Sequence, residues 1–240
     1  MVYKMKNLSK TLTYIFIAST VILLVSCGSI IKTIAGIPKL TVYSQEEIDS
    51  NIKKAPIENN VIDAQLSQDL DTETIKSFIY MSIPYRTYIY DKNNSLMCYN
   101  GETHCGITQL DTLRQSSIKD NYAQCDSITL DTDIDSYLGN FHEITSKIIL
   151  PKESNFDSYQ YKILVFINTD ISKDELIEDW NYIYNSLNTN NPETIFIRIW
   201  TDLNEDWGLK YGAKAKFKVR KVKDSKGEYY MTLPKLPYKK

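Results

Sequence analysis

The stretch Tyr161-Lys162-Ile163-Leu164-Val165-Phe166-Ile167 decides how this chain is read. It is a continuous apolar run with one charge and no polar alternation, the pattern of a strand buried on both faces. Just downstream, Ser172-Lys173-Asp174-Glu175 has the form of a capping box that opens a helix. Leu176, Trp180, Tyr184 and Leu187 follow at steps of three and four, the stripe of an amphipathic helix. Asn190-Asn191-Pro192 breaks that helix, and Thr194–Trp200 is a second apolar strand. Strand, helix and strand in this order form a βαβ unit with parallel strands and a right-handed crossover. The fold class is therefore α/β (or α+β), with a mixed sheet and flanking helices.

The flanks extend that frame. Residues 28–43 hold Gly36, Pro38 and no clean periodicity, and read as a tether. Ser44-Gln45-Glu46-Glu47 is a first capping box, with Ile48 and Ile52 on one helix face and Pro56 as the stop. A helix is expected over about 71–81, carrying Ile75, Phe78 and Ile79. Ile83-Pro84 leads into a β-hairpin, Tyr85–Tyr90 and Ser95–Tyr99, around the turn Asp91-Lys92-Asn93-Asn94. A short helix with Ile107, Leu110 and Leu113 comes next, then a polar region in which Ile128, Leu130, Ile148 and Leu150 mark strand centres. In the tail, Lys214, Lys216, Lys218 and Arg220 alternate with Ala215, Phe217 and Val219, as in a half-buried strand. Asp224-Ser225-Lys226-Gly227 turns that strand back into 228–233, a C-terminal β-hairpin.

The chain has 240 residues, 42% hydrophobic and 24% charged, with net charge −2, which rules out a disordered chain. Its near-zero balance gives no general attraction to nucleic acid. Only eight glycines are present, and neither a Gly-x-Gly-x-x-Gly nor a phosphate-binding Walker loop occurs. Two histidines and no Gly-x-Ser-x-Gly leave a hydrolase triad without support. No cofactor is implied.

The N-terminus states a cellular address. Lys4, Lys6 and Lys10 precede an uncharged run from Thr11 to Ile31, and Tyr14–Val25 is almost wholly apolar. The run ends in Leu24-Val25-Ser26-Cys27, which resembles a bacterial lipobox. That resemblance implies a diacylglycerol thioether on Cys27 (commonly with an added acyl chain such as palmitate), cleavage before it and a partner in membrane lipid. The alternative is an uncleaved transmembrane anchor, weakened by Thr11, Thr13, Ser19, Thr20 and Ser26 inside the run. Removing the signal peptide 1–26, three of whose residues are lysine, leaves 214 residues at net charge −5. Cys27 begins a lipidated tether, 27–43, and a globular domain spans 44–240, with possible halves 44–125 and 140–240. Gly28-Ser29, with no Asp after the cysteine, resembles the signal for the outer membrane facing the periplasm.

The hairpin after Ile83-Pro84, followed by Gly101 and a helix, resembles the C-terminal half of a thioredoxin-like domain, with Pro84 where that family has a cis-proline. The βαβ unit at 161–200 is similar to the N-terminal half, so the two halves stand in reversed order, as in a permuted domain. The family's Cys-x-x-Cys position reads Asn168-Thr169-Asp170-Ile171-Ser172, which implies that the classical redox activity is absent.

The remaining cysteines are Cys98, Cys105 and Cys125. An envelope compartment favours a disulfide, with Cys105–Cys125 or Cys98–Cys105 as pairings. Cys98 and Cys105 are also candidate redox thiols. A metal site from Cys98, His104, Cys105 and Cys125 lacks paired short spacings. Asp131-x-Asp133-x-Asp135 resembles the start of a calcium loop, but Ser136 and His142 replace its glycine and glutamate. Residues 210–240 hold eleven Lys or Arg against two acids. Lys214, Lys216, Lys218 and Arg220 would contact an anionic surface, or guard an edge strand against aggregation. The expected function is a membrane-anchored envelope lipoprotein with a non-catalytic binding or scaffold role toward an unidentified protein partner. The alternative is a divergent thioredoxin-like thiol oxidoreductase using Cys98 and Cys105.

Overall fold

The computed structural model describes residues 39–82, 85–101, 105–125, 139–151, 155–221, 229–233 and 235–239. Cys27, Pro84, His104, Ile128, Leu130 and the acidic run Asp131–Asp135 lie outside the described residues. The described chain is mixed α/β. Its strands are β1 (Lys39–Tyr43), β2 (Val61–Leu66), β3 (Tyr88–Asp91), β4 (Leu96–Tyr99), β5 (Tyr122–Gln124), β6 (Ile148–Ile149), β7 (Tyr161–Ile167), β8 (Thr194–Trp200), β9 (Leu203–Asn204), β10 (Lys214–Lys216), β11 (Lys218–Lys221) and β12 (Tyr229–Thr232). The helices are α1 (Gln45–Ile52), α2 (Thr72–Met81), α3 (Gly106–Leu113), α4 (Ile118–Asn121), α5 (Phe141–Thr145), α6 (Thr169–Ser172) and α7 (Leu176–Asn188). Among the described residues, no helix is long and apolar enough to cross a membrane.

A seven-stranded sheet runs β5-β4-β3-β7-β8-β2-β6. β7 and β8 are parallel from Tyr161↔Thr194 to Ile167↔Trp200, as the βαβ reading requires. β2 adds a third parallel strand beside β8, while β3 is antiparallel to β7 and starts the β3–β4–β5 meander. The continuous apolar run of β7 is explained by burial on both faces. Ile163, Val165 and Ile167 pack with Trp180, Ile183 and Leu187 of α7 and Leu110 and Leu113 of α3. Leu164 and Phe166 point the other way, onto Phe78 and Met81 of α2 and Phe141 and Ile144 of α5. Lys162, fully buried at the strand's start, satisfies its ammonium on the carbonyls of Asp91 and Lys92 in the neighbouring turn.

A three-stranded sheet, β10-β1-β9, packs Leu40, Val42, Leu203, Ala215 and Phe217 against Ile75 and Ile79 of α2. Thus α2 faces the large sheet on one side and the small sheet on the other. β1 corrects the tether reading of 27–43 over its last five residues, where Lys39–Tyr43 is a strand with Leu40 and Val42 fully buried. Each such side chain contributes about 1.5–3 kcal/mol through its burial, and the alternation in Lys-Leu-Thr-Val-Tyr suits a strand with one wet face.

The Ser44 capping box forms, with Glu47 Oε2 accepting from the Ser44 amide at 2.9 Å. The Ser172 box does not. Asn168 caps the chain four residues earlier by accepting from the Asp170 amide, so a helix starts directly off β7 at Thr169. Lys173 then breaks it at φ 48°, and α7 begins after a 3-10 turn over Lys173–Glu175. The basic tail is also two strands rather than one. β10 pairs with β1, β11 pairs with β12 as a C-terminal hairpin, and buried Phe217 lies between them.

Candidate functional site

The cysteines separate the sequence alternatives. Cys98 bonds to Cys125, with Cα atoms 4.9 Å apart. The Cys105–Cys125 pairing is corrected by register. The antiparallel β4–β5 ladder carries Cys125 past the end of β5, where its amide donates to Leu96, whereas Cys105 is the N-cap of α3. None of the three is a free thiol, and Cys98 and Cys105 are not joined to each other. The Cys98–Cys125 bond ties the outer strands of the sheet across a separation of 27 residues. Loop closure of that length contributes on the order of 3 kcal/mol. Cys125→Ser is therefore expected to lower the urea midpoint accordingly. An unchanged midpoint would show that the closed loop does not constrain the unfolded chain.

In open α/β sheets ligands gather beyond the carboxyl ends of parallel strands. Here that end is filled by side chains. Asn168 Nδ2 donates to the Thr201 carbonyl at 2.9 Å, and the Ser82 and Thr201 hydroxyls meet at 2.7 Å. Asp202 accepts from the Thr169 amide and hydroxyl, both at 2.8 Å. Asp170 accepts from the Thr41 amide and, at 2.9 Å, from the Tyr43 hydroxyl, which ties α6 to the small sheet. The cavity left beside Ser82, Tyr85, Asp179 and Trp180 is about 20 Å³, room for roughly one water. Burial raises the Asp179 carboxyl above its ordinary range, offset by the Tyr85 hydroxyl that it accepts from.

A larger opening lies at the other edge. A groove of about 570 Å³ runs between α1 and the segment Ile149–Pro151, within the size range of ligand sites. Gln45, Asp49 and Ile52 form one wall at helical spacing, and Asp63, Gln65 and Gln68 lie along it. The polar groups are held in place: Gln45 Nε2 bridges Asp49 at 2.7 Å and Gln65 at 2.8 Å, and Gln65 Nε2 donates to Asp49 at 3.1 Å. Asn204 Nδ2 in turn donates to Gln45 Oε1.

Asp63 is anchored from behind. Arg198, directly opposite it in the β2–β8 register, donates Nε to Oδ1 at 2.8 Å and Nη2 to Oδ2 at 2.9 Å. Trp200 Nε1 adds a bond at 2.8 Å, and the guanidinium carbon stands 4.5 Å from the Trp180 ring centroid. No motif or spacing in the sequence marks this group as a unit. Its signal was a single arginine inside Thr-Ile-Phe-Ile-Arg-Ile-Trp and a single acid inside Val-Ile-Asp-Ala-Gln-Leu.

Lys214, Lys216 and Lys218 are exposed, with Ala215 and Phe217 buried between them, and Arg220 lies in β11. Comparison of the chain with protein families, curated proteins and solved structures returned no match.

Proposed function

We propose that the chain is a lipid-anchored protein of the bacterial cell envelope whose globular domain binds a polar ligand in the groove between α1 and Ile149–Pro151, without chemistry of its own. The observation that carries the anchor is Leu24-Val25-Ser26-Cys27 at the end of an apolar run behind three lysines. The binding role is supported by the groove. Two of its three carboxylates are held in place, Asp63 by Arg198 and Trp200, and Asp49 by two glutamine amides. Fixed acceptor oxygens beside Ile149, Leu150 and Pro151 suit a donor-rich ligand with an apolar side, such as an extended peptide. The order β8-β7-β3-β4, parallel then twice antiparallel, supports the permuted thioredoxin-like frame as the scaffold of that role.

Metabolic labelling with an alkyne fatty acid tests the anchor. The wild type is expected to be labelled and retained in membranes, and Cys27→Ser to be unlabelled. An unlabelled wild type, or Cys27 recovered in a disulfide, overturns it. Amide shifts on titrating short peptides into the processed chain test the groove. Shifts centred on Gln45, Asp49 and Gln65 are expected, and shifts centred on Ser82 and Asp179 instead would move the site to the strand ends.

A further inference from the structure

We infer that the wet face of the β10-β1 pair, led by Lys39, Lys214 and Lys216 and continued by Lys218 at the start of β11, is a docking surface for the anionic lipid leaflet in which the chain is anchored. The inference rests on the anchor reading for its choice of anion and for the tethering of the face to the headgroups; the surface itself stands on the geometry that follows.

Lys39 and Lys216 are directly opposed in the antiparallel register, and Lys214 is opposed to Thr41, so these side chains share one face of the sheet. All four lysines are exposed. Like charges placed directly across a ladder oppose pairing. Protection of the sheet edge explains lysines along β10, the outer strand, and does not require a second lysine, Lys39, directly opposite Lys216. None of the four is in an ion pair among the described residues. The chain carries no Asp or Glu from Gly208 to Lys221 or from Tyr229 to Lys239. At the far end of β1, Asp170 is engaged by Thr41 and Tyr43, and Glu47 by Ser44 and Tyr211. The four lysines thus have no ion-pair partner among the described side chains, and Asp170 and Glu47 are hydrogen-bonded at the Thr41–Tyr43 end of β1 and at Tyr211.

Its position fits a bilayer. The opposite face of the small sheet is committed to the core through Leu40, Val42 and Ala215, so this face is the one turned outward. Lys39 follows Cys27 by twelve residues, a span of at most about 40 Å when extended. A lipid on Cys27 therefore holds the basic face at high effective concentration over the headgroups, where several lysines act together on a negative surface.

The test uses the processed chain with Cys27→Ser, so that no acyl chain contributes, and sedimentation with vesicles. Binding is expected to vesicles containing phosphatidylglycerol and not to pure phosphatidylcholine, and to fall at least about tenfold as salt rises to ~0.5 M. The triple variant Lys214→Gln, Lys216→Gln, Lys218→Gln is expected to lower binding at least about tenfold with an unchanged unfolding midpoint. A Lys39→Gln variant should lower it further without touching β10. Equal binding to both vesicles, or full binding by the variants, overturns the inference, as does loss of binding to millimolar inorganic phosphate, which would assign the face to a soluble anion. Fatty-acid labelling of Cys27 in the wild type scores the anchor separately, so either reading can fail alone.

Discussion

Asp63→Ala is expected to destabilise the domain by about 3–5 kcal/mol, the range for removing one partner of a buried ion pair. Arg198 is 1% exposed and sits in a fully buried strand, with its Nη1 already lacking a hydrogen-bond partner. Deleting Asp63 strips the guanidinium of both remaining bonds and leaves Trp200 Nε1 without its acceptor. Desolvation of a charge then stands unopposed in the core between β8 and α7. The pair itself is not a large net gain, because both ions lost water to form it. The double variant Asp63→Leu with Arg198→Met, which removes both charges, is therefore expected to recover the part of the loss due to the stranded guanidinium, leaving about 1–3 kcal/mol for the unpaired Trp200 Nε1. Urea unfolding of the single and double variants decides this. A single variant within about 1 kcal/mol of wild type would mean that water reaches Arg198. Because Asp63 also lines the groove, the single variant should weaken ligand binding as well.

How far the sequence could be read depended on the kind of physics involved. Periodicity reports burial, and burial built the frame. The unbroken run 161–167, the helical stripe through Trp180 and Leu187, and the turn at Asp91–Asn94 all became β7, α7 and the β3–β4 hairpin. Local rules failed where a tertiary partner outbid them. The Ser172 box was overridden by Asn168, which caps its own helix while holding the Thr201 carbonyl on β8. The stretch before Ser44 looked like a tether because five residues carry little periodicity. Only the pairing of Val42 with Leu203 and Leu40 with Ala215 makes Lys39–Tyr43 a central strand.

The sites were less legible than the frame for the same reason. Cys98 and Cys125 meet through the β4–β5 register, and no spacing rule distinguishes that pairing from Cys105–Cys125. The groove joins α1, β2 and the end of β6, three segments whose adjacency follows from strand order alone. Two charges did mark it. A lone Asp and a lone Arg in otherwise apolar strands cost too much to bury apart, which is itself a reason to expect them paired.

Asp202 supplies the second large effect, through pH. Its carboxyl is 3% exposed, and burial pushes its pKa up to about 7, with the Thr169 amide and hydroxyl working against the shift and Asp170 adding to it. Tyr43, which also faces this carboxylate, is neutral across the relevant range, since burial and the two aspartates raise it further above its ordinary value. In the unfolded chain an aspartate titrates near ~3.9. Between about pH 4 and pH 7 the folded state therefore holds a proton that the unfolded state has lost, so stability falls as pH rises across that window. Three pKa units correspond to roughly 4 kcal/mol as an upper figure. Asp202→Asn cannot ionise, yet its amide oxygen can still accept from Thr169. The stability difference, wild type minus variant, is expected to be largest near pH 4, to shrink steadily to about pH 7 and then to level off. Taking the difference cancels the opposite slope from carboxylates such as Asp71, held low by Thr74, whose stabilisation is lost only as pH drops. A difference that stays flat from acid to neutral pH would rule out a buried, protonated Asp202. Because Thr169 binds Asp202 while its neighbour Asp170 binds Thr41 and Tyr43, ionisation should loosen one junction in particular. Amide exchange at Thr41, Val42 and Leu203 is therefore expected to quicken with rising pH beyond its intrinsic rate in the wild type, and not in Asp202→Asn.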